Sequence, residues 1–225
     1  MRRIICVTLT FLLGLSNAAL SGDKAVTPFN GKDLAGWKLR NSAKNKWAVG
    51  TAGVDDKGKL TFEPKGKELV NTASDGSDIY TEQTFGDCVV EVEVMVPKGS
   101  NSGIYMMGRY EVQILDSYGA KKLAMHDMGA IYSVAIPKVN ACKKAGEWQK
   151  FVIDFQAPRF GGAKKTANAI FHKVVLNDVV IHEKVELPKG VTGGALGEEV
   201  ADGPLMFQGD HGPVAFRNLR IIAKK

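Results

Sequence analysis

Short hydrophobic stretches in which every second residue is apolar recur along most of this chain. In the segment 90–96, for example, four valines alternate with Glu91, Glu93 and Met95. A period of two is the pattern of a β-strand that buries one face. Similar patterns predict further strands over 59–63, 103–115, 130–135, 148–156, 169–176, 179–184, 204–208 and 214–223. The Asn-Asp pair at 177–178 separates two of these strands and predicts a tight hairpin turn.

Glycine- and proline-rich breaks separate the predicted strands, and helical periodicity is almost absent. Many short strands without intervening helices favour an all-β fold over a parallel α/β sheet. We therefore predict an antiparallel β-sandwich, with residues 25–225 as one domain. The glycine-rich segment 188–202 is the expected irregular loop, and loops of this kind often flank a binding cleft.

The first 18 residues have the features of a secretory signal peptide. Arg2 and Arg3 precede an apolar stretch over 4–15, and Ser16-Asn17-Ala18 supplies small residues before a cleavage site. We therefore expect residues 1–18 to be removed and the mature protein to be periplasmic or secreted, with no attachment to a membrane. An uncleaved membrane anchor is the alternative, but the apolar stretch is short for a span.

Charge and cysteine content narrow the range of partners. The chain carries 30 Lys and Arg against 24 Asp and Glu, but the lysines occur mostly in scattered pairs and form no continuous basic stripe. We therefore expect no nucleic-acid partner. The mature chain would keep two cysteines, Cys88 and Cys142, and the sequence leaves open whether they form a disulfide. No Cys and His spacing indicates a structural zinc site.

The segment 109–113 has the clearest functional pattern. On a strand, Arg109, Glu111 and Gln113 would share one face, while the apolar residues between them would share the other. A cation, a carboxylate and an amide in one row are typical of a surface that binds a sugar. An ordinary strand face turned to solvent is the alternative.

Paired carboxylates are a second candidate feature, since glycoside hydrolysis uses one as the acid and the other as nucleophile or base. The segment 111–116 resembles the Glu-x-Asp-x-x-Glu run of glycosidases with concanavalin-like sandwiches, with Gln at its centre and Asp116 at its end. Asp116 would join Glu111 on one face only if the strand is bulged, and otherwise forms a turn. Glu91 and Glu93 also share a face, although glutamates that alternate with valines usually face solvent.

A larger resemblance rests on motifs that follow one another along the chain: Phe29-Asn30-Gly31-Lys32-Asp33-Leu34 with Gly36-Trp37, Asn101-Ser102-Gly103-Ile104, Gly129-Ala130-Ile131-Tyr132, Gly146-Glu147-Trp148, and His211-Gly212 with Phe216-Arg217-Asn218. Together with the segment 111–116 they resemble the 3-keto-disaccharide hydrolase family across nearly the whole mature chain. The resemblance implies a concanavalin A-like jelly roll, an exported bacterial protein and action on glycosides whose sugar is oxidised at carbon 3. The chain departs from the family pattern at 159–168 and at Trp148-Gln149, where a Trp-Asn pair is common.

Cleavage of a 3-keto substrate would begin with the removal of a proton. Its carbonyl makes the proton on carbon 2 acidic, so that a base can remove it. The substituent on carbon 1 then leaves by β-elimination, and water adds back afterwards. The resemblance therefore implies a base, a group that stabilises the enolate oxygen and an acid for the leaving oxygen.

Five residues are candidates for these roles. Glu111 or His211 would be the base, and His126 or Asp116 the acid. Arg109 or a bound divalent metal ion would stabilise the enolate. A conventional retaining glycosidase and a non-catalytic sugar-binding module are the alternative hypotheses.

The sugar and a metal ion would each need their own ligands. Four polar residues are expected to bind the carbohydrate substrate: Arg109, Gln113, Asn101 and Gln208. Asp210 and His211 are of the residue types that suit a first-row divalent ion, but two candidate ligands do not make a site. The sequence therefore leaves the cofactor undecided.

Overall fold

The computed structural model describes residues 25–224, and the predicted signal peptide lies outside them. Apart from one 3₁₀ turn at Ser42–Lys44, the regular structure described is β-strand. The strands are β1 (Ala25–Val26), β2 (Trp37–Leu39), β3 (Trp47–Val54), β4 (Leu60–Asn71), β5 (Ile79–Phe85), β6 (Cys88–Met95), β7 (Asn101–Met106), β8 (Tyr110–Leu115), β9 (Trp148–Gln156), β10 (Arg159–Gly161), β11 (Lys164–Ala167), β12 (Ile170–Leu176), β13 (Val179–Glu186), β14 (Gly203–Phe207) and β15 (Val214–Ala223). No helix within residues 25–224 is long and apolar enough to cross a membrane.

The strands pair in antiparallel fashion and form two large sheets. One sheet has the order β13-β12-β9-β6-β15-β4-β3, with the short β1 beside β15. The other has the order β2-β5-β14-β7-β8, and β10 and β11 form a separate hairpin. The predicted all-β fold, an antiparallel sandwich of jelly-roll type, is confirmed.

The hydrophobic core lies between the two sheets, where the apolar faces of their strands meet. Val90, Val92 and Val94 of β6 are at most 1% exposed, as their alternation predicts. Phe207 of β14 stacks on Phe216 of β15 with ring centroids 3.8 Å apart. Because these two strands belong to different sheets, this stack joins the two layers directly.

The glutamates of β6 lie on the outer face of the eight-stranded sheet. Arg217 Nε donates a hydrogen bond to Glu93 at 2.7 Å, and Arg220 Nη1 donates to Glu91 at 3.4 Å. The Arg217 guanidinium also lies 4.0 Å above the centre of the Trp148 ring. Glu91 and Glu93 therefore belong to a charged outer surface, as their alternation with valines indicates, and not to a catalytic pair.

The predicted strand 103–115 is a hairpin. β7 ends at Met106, and the turn that follows has positive φ at Met107 (56°) and Gly108 (65°). β8 then begins at Tyr110. The prediction of one continuous strand is therefore wrong, although the alternation that it assumed holds within each half.

Two other local predictions have opposite outcomes. The prediction of a strand at 130–135 is wrong. Ile131 forms an isolated bridge to Ala135, and Ser133 between them has a positive φ of 59°. This segment therefore folds back on itself. The hairpin turn at 177–178 is confirmed, with φ of 51° and 64° at its two residues, the conformation of a type I′ turn.

Cys88 and Cys142 are both buried free thiols, so no disulfide links them. Burial raises the pKa of Cys88 to about 12 and that of Cys142 to about 11. Thiols that remain protonated in this way are poor nucleophiles, and both cysteines pack as small hydrophobic residues.

Candidate active site

A polar pocket of about 180 Å³ lies on the outer face of the five-stranded sheet, on the side away from the core. Strands β7 and β8, together with residues at the ends of β5 and β14, form its floor. Parts of the loops 116–147, 187–202 and 208–213 form its walls. The lining residues are Arg40, Asp78, Asn101, Tyr105, Glu111, Gln113, Tyr132, Gly193, Gly194, Gln208, Asp210 and His211.

The hairpin of β7 and β8 explains why polar side chains gather on this face. Residues directly opposite each other in an antiparallel pair share a face, and Glu111 lies opposite Tyr105 while Gln113 lies opposite Gly103. Asn101 belongs to the same alternating set on β7. The residues between them, such as Ile104, are fully buried in the core. Reversal of the chain at the turn thus places two polar rows side by side.

Glu111 is the most deeply buried acid of the pocket, with 2% of its surface exposed. Burial removes water from the charged form and raises the pKa of its carboxyl to about 8, and the charges of Asp78 and Asp210 act in the same direction. The Tyr105 hydroxyl has the opposite effect, since it can donate to the carboxylate. In the structure this hydroxyl donates to the Gly193 carbonyl oxygen at 2.9 Å, so the two acceptors compete for one proton.

Gly103 provides the space that the Glu111 carboxyl occupies. A Cβ atom at position 103 would lie 2.3 Å from Glu111 Oε1 and 2.8 Å from Cε2 of Tyr105. The backbone at Gly103 does not have a positive φ, so its conformation alone does not require glycine. The absence of a side chain is needed instead for the placement of the carboxyl group.

Replacing Gly103 by alanine should therefore displace the Glu111 carboxyl. A shift of about 1 Å in a catalytic group can cost roughly 100-fold in rate, and we expect a loss of kcat of that order. Gly86→Ala is the matched control, because Gly86 lies outside the pocket and the nearest contact of an added Cβ would be an ordinary 3.6 Å. Unchanged kcat in Gly103→Ala, with both variants folded by circular dichroism, would contradict this role.

Gln208 presents an unpaired acceptor within the pocket. Its side-chain Nε2 donates to the Tyr105 hydroxyl at 3.3 Å, but its Oε1 is buried without a hydrogen-bond partner among the described residues. A buried unpaired acceptor costs about 1–3 kcal/mol, so a ligand hydroxyl that donates to it would relieve this cost. Gln113 and Asn101 pair through Gln113 Nε2 and Asn101 Oδ1 at 2.6 Å, which leaves one amide oxygen and one amide nitrogen for a ligand.

The turn at 209–212 carries Asp210 and His211. Asn71 Nδ2, at the end of β4, donates to the carbonyl oxygens of Gly209 at 2.9 Å and Gly212 at 2.8 Å, and so fixes both ends of the turn. His211 Nδ1 lies 2.5 Å from Asp210 Oδ1, and both side chains are about half exposed. Asp210 therefore orients the imidazole at the pocket edge.

Arg40 connects the floor of the pocket to the glycine-rich loop 187–202. Its Nη1 donates to the Gly194 carbonyl oxygen at 2.8 Å and to Asp78 Oδ2 at 3.3 Å. The Asp78 carboxylate also accepts a hydrogen bond from the Gly209 amide at 3.0 Å. Two glycines of this loop line the pocket, so the expectation that the segment 188–202 flanks a cleft is confirmed.

Five of the eight site residues predicted from the sequence line the pocket: Asn101, Glu111, Gln113, Gln208 and His211. The structure does not bring Arg109, Asp116 or His126 into that lining.

The three residues outside the pocket have other surroundings. Arg109 Nε donates to the Glu198 carbonyl oxygen at 2.9 Å, so this side chain supports the glycine-rich loop and does not reach Glu111. Asp116 Oδ2 accepts a hydrogen bond from the Gly99 amide at 2.9 Å, in the turn after β8, and no bulge returns it to the face of Glu111. His126 is exposed on the loop 116–147.

Sequence reasoning missed four residues that line the pocket: Arg40, Asp78, Tyr105 and Tyr132. Tyr105 could have been found from the sequence. It lies two residues after Gly103, on the strand that contains the motif Asn101-Ser102-Gly103-Ile104. Tyr132 also belongs to a recognised motif, Gly129-Ala130-Ile131-Tyr132. Arg40 and Asp78 lie at the ends of strands without clear periodicity and carry no local signal.

Asp210 and His211 are the two residues that the sequence offered as candidate metal ligands. Within residues 25–224 no group of three or more His, Cys, Asp or Glu side chains is arranged to hold a metal ion. Asp210 and His211 contact each other, and both oxygens of the nearby Asp78 carboxylate are engaged by Gly209 and Arg40.

The model of the family of 3-keto-alpha-glucoside-1,2-lyase-like domains matches residues 24–222, and the chain belongs to this family. With the jelly-roll sandwich and its polar pocket, this membership defines a carbohydrate-active enzyme. None of the curated proteins compared with the chain matches it in sequence.

Solved structures share the fold. A glycosyl hydrolase candidate from Parabacteroides distasonis ATCC 8503 is 28% identical, with a TM-score of 0.65 over 89% of this chain and 84% of that one. A second from the same organism is 16% identical, with a TM-score of 0.64 over 89% and 94% of the two chains. A third is 19% identical, with a TM-score of 0.58 over 89% and 100%.

Proposed function

We propose that this protein cleaves 3-keto-glycosides or 3-keto-disaccharides by β-elimination, followed by addition of water. The single observation that carries the proposal is the buried Glu111, a carboxyl group whose pKa of about 8 suits proton abstraction near neutral pH, in a pocket of hydroxyl-binding groups. Membership of the family of 3-keto-alpha-glucoside-1,2-lyase-like domains supports the choice of substrate.

In this mechanism the Glu111 carboxylate removes the proton on carbon 2 of the sugar. The electrons of that bond form the enolate, whose oxygen is the former carbon 3 carbonyl oxygen. The electrons then form the double bond between carbons 1 and 2, and the bond between carbon 1 and the leaving oxygen breaks. Arg40 supplies the guanidinium group in the pocket lining, and we assign to it the stabilisation of the enolate oxygen. The sequence suggested Arg109 for this role.

His211 donates a proton to the leaving oxygen. Its half-exposed ring at the pocket edge suits an acid that must act on a departing group, and Asp210 holds it in orientation. Gln208 Oε1 accepts a hydrogen bond from a sugar hydroxyl, with Gln113 and Asn101 providing further polar contacts. The products are an unsaturated 3-keto sugar and a free alcohol, and water added across the new double bond then gives the free 3-keto sugar.

Incubation with a 3-keto-disaccharide and with its unoxidised parent tests the proposal. We expect release of the leaving sugar from the oxidised substrate only, and exchange of the proton on carbon 2 with deuterium in heavy water. Turnover of the unoxidised parent would instead indicate a conventional retaining glycosidase. Binding of both sugars without turnover of either would indicate a sugar-binding module.

We also propose that the protein is exported to the periplasm or secreted. The proposal rests on the residue pattern at 1–18, where small residues at positions 16 and 18 suit a signal peptidase. We expect the mature chain to begin at or near Ala19, as judged by N-terminal sequencing of protein from the exported fraction. Exported material that still begins at Met1 would contradict this prediction.

A further inference from the structure

A second cavity of about 310 Å³ lies on the other side of His211. His211 lines both this cavity and the pocket that contains Glu111, so the two spaces meet at this side chain. Pro97 and Pro213 give the second cavity apolar surfaces, and Thr72 and Ser74 add hydroxyl groups. A mixture of flat apolar and hydroxyl surfaces suits the ring of a sugar or an aromatic group.

The two cavities differ in charge. The pocket around Glu111 contains three carboxyl groups, whereas Lys59 and Lys98 are the charged residues of the second cavity besides His211 itself. Neither lysine forms an ion pair with any residue in the described part of the chain. Both lysine side chains are therefore available to an anionic group.

Two carboxylates accept hydrogen bonds from backbone amides at or next to these lysines. Asp55 Oδ1 accepts from the amides of Lys57 and Lys59, each at 2.9 Å. Asp116 Oδ2 accepts from the Gly99 amide at 2.9 Å. These carboxylates hold turns in shape, and neither forms an ion pair with the ammonium group of Lys59 or Lys98.

The geometry of the reaction indicates what would enter the second cavity. If Glu111 acts at carbon 2, the leaving group is attached to the neighbouring carbon 1, and its oxygen must reach the acid His211. The part of the substrate beyond that oxygen then extends past His211, where the second cavity begins. The inference thus rests on the proposed function and on the place of His211 between the two spaces.

We propose that the second cavity is the leaving-group subsite and that Lys59 and Lys98 make the enzyme selective for acidic leaving groups, meaning sugars or phenols that carry a carboxylate. The carboxylate lies between the two ammonium groups, and the ring of the leaving group lies against the prolines. The anionic group is remote from the bond that breaks, so it affects recognition and not the chemistry of elimination.

Two matched substrates test this selectivity. The 3-keto-glucosides of 4-hydroxyphenylacetate and of 4-hydroxyphenylacetamide differ in charge, but the methylene group keeps the leaving ability of the two phenols nearly equal. We expect kcat/KM for the acid to exceed that for the amide by roughly three- to tenfold at low salt, because exposed ion pairs are individually weak, and we expect high salt to reduce the ratio.

The double variant Lys59→Gln/Lys98→Gln should bring this ratio close to one, chiefly by lowering kcat/KM for the acid. Lys121→Gln/Lys122→Gln is the control, since these two exposed lysines lie outside both cavities, and it should keep the wild-type ratio. Equal kcat/KM for the two substrates in the wild type, or a ratio that survives in the double variant, would overturn the inference while the proposed function stands. Failure to cleave either substrate would overturn both.

Discussion

Glu111→Gln should lower kcat for a 3-keto-glycoside by roughly two to four orders of magnitude, the usual contribution of a general base. Glutamine keeps the shape of the side chain but cannot accept the proton from carbon 2. In the wild type, kcat/KM should rise with pH through about 8, the pKa to which burial raises the Glu111 carboxyl, because only the ionised form is a base. This rise should be absent from any residual activity of the variant.

The stability of Glu111→Gln separates a catalytic role from a structural one. The pKa of about 8 lies above the ordinary value of 4.5, so the folded protein holds this proton more tightly than the unfolded chain does. That contribution to stability is complete at pH values below 4.5 and is lost as the pH rises through about 8. We therefore expect the variant to melt at a higher temperature than the wild type at pH 9, and at a similar temperature at pH 4.5 or below.

Melting curves and elimination rates measured on the same preparations provide the test. An important ion pair of Glu111 with Arg109 would give the opposite result, namely lower stability with activity retained. The structure already makes such a pair unavailable, because the Arg109 guanidinium binds carbonyl oxygens of Met107 and Glu198. Near-normal turnover in Glu111→Gln would remove this residue from the mechanism and leave His211 as the first candidate for the base.

The alternation of residues predicted much of the fold, because burial of one strand face is a local property of the sequence. It identified the outward-facing Glu91 and Glu93 and the shared face of Glu111 and Gln113. It missed β3 and β5, and it did not predict the turn at Met107 and Gly108, since methionine rarely adopts a positive φ. A strand pattern that continues across such a turn gives little warning of the reversal.

The site was harder to predict, because residues far apart in the sequence form it. β14 inserts between β5 and β7, and this pairing brings Asp78 and Gln208 to the same end of the sheet. Nothing in the local sequence around Asp78 indicates that it will meet Gly209. Arg109 was misassigned for a related reason, since the turn before it directs its side chain to a loop that lies about 90 residues further along the chain.

His211→Gln should lower kcat strongly for a substrate with a poor leaving group and only slightly for one with a good leaving group. An alcohol leaving from carbon 1 needs a proton as its bond breaks, and loss of the acid should cost roughly 100-fold or more. A nitrophenol leaves as a stable anion and needs little help, so we expect a loss of about tenfold or less from the same variant. The comparison uses the 3-keto forms of a glucose disaccharide and of nitrophenyl glucoside.

Asp210→Asn provides a graded control for this assignment. Its carboxylate orients the His211 ring through the 2.5 Å contact with Nδ1, so the asparagine variant should show the same dependence on the leaving group with a smaller loss. A His211→Gln variant that loses the same factor with both substrates would show that His211 is not the acid. His211 would then act before the leaving group departs, either as the base or in binding the 3-keto sugar. The effect of Glu111→Gln would in that case be measured with both leaving groups.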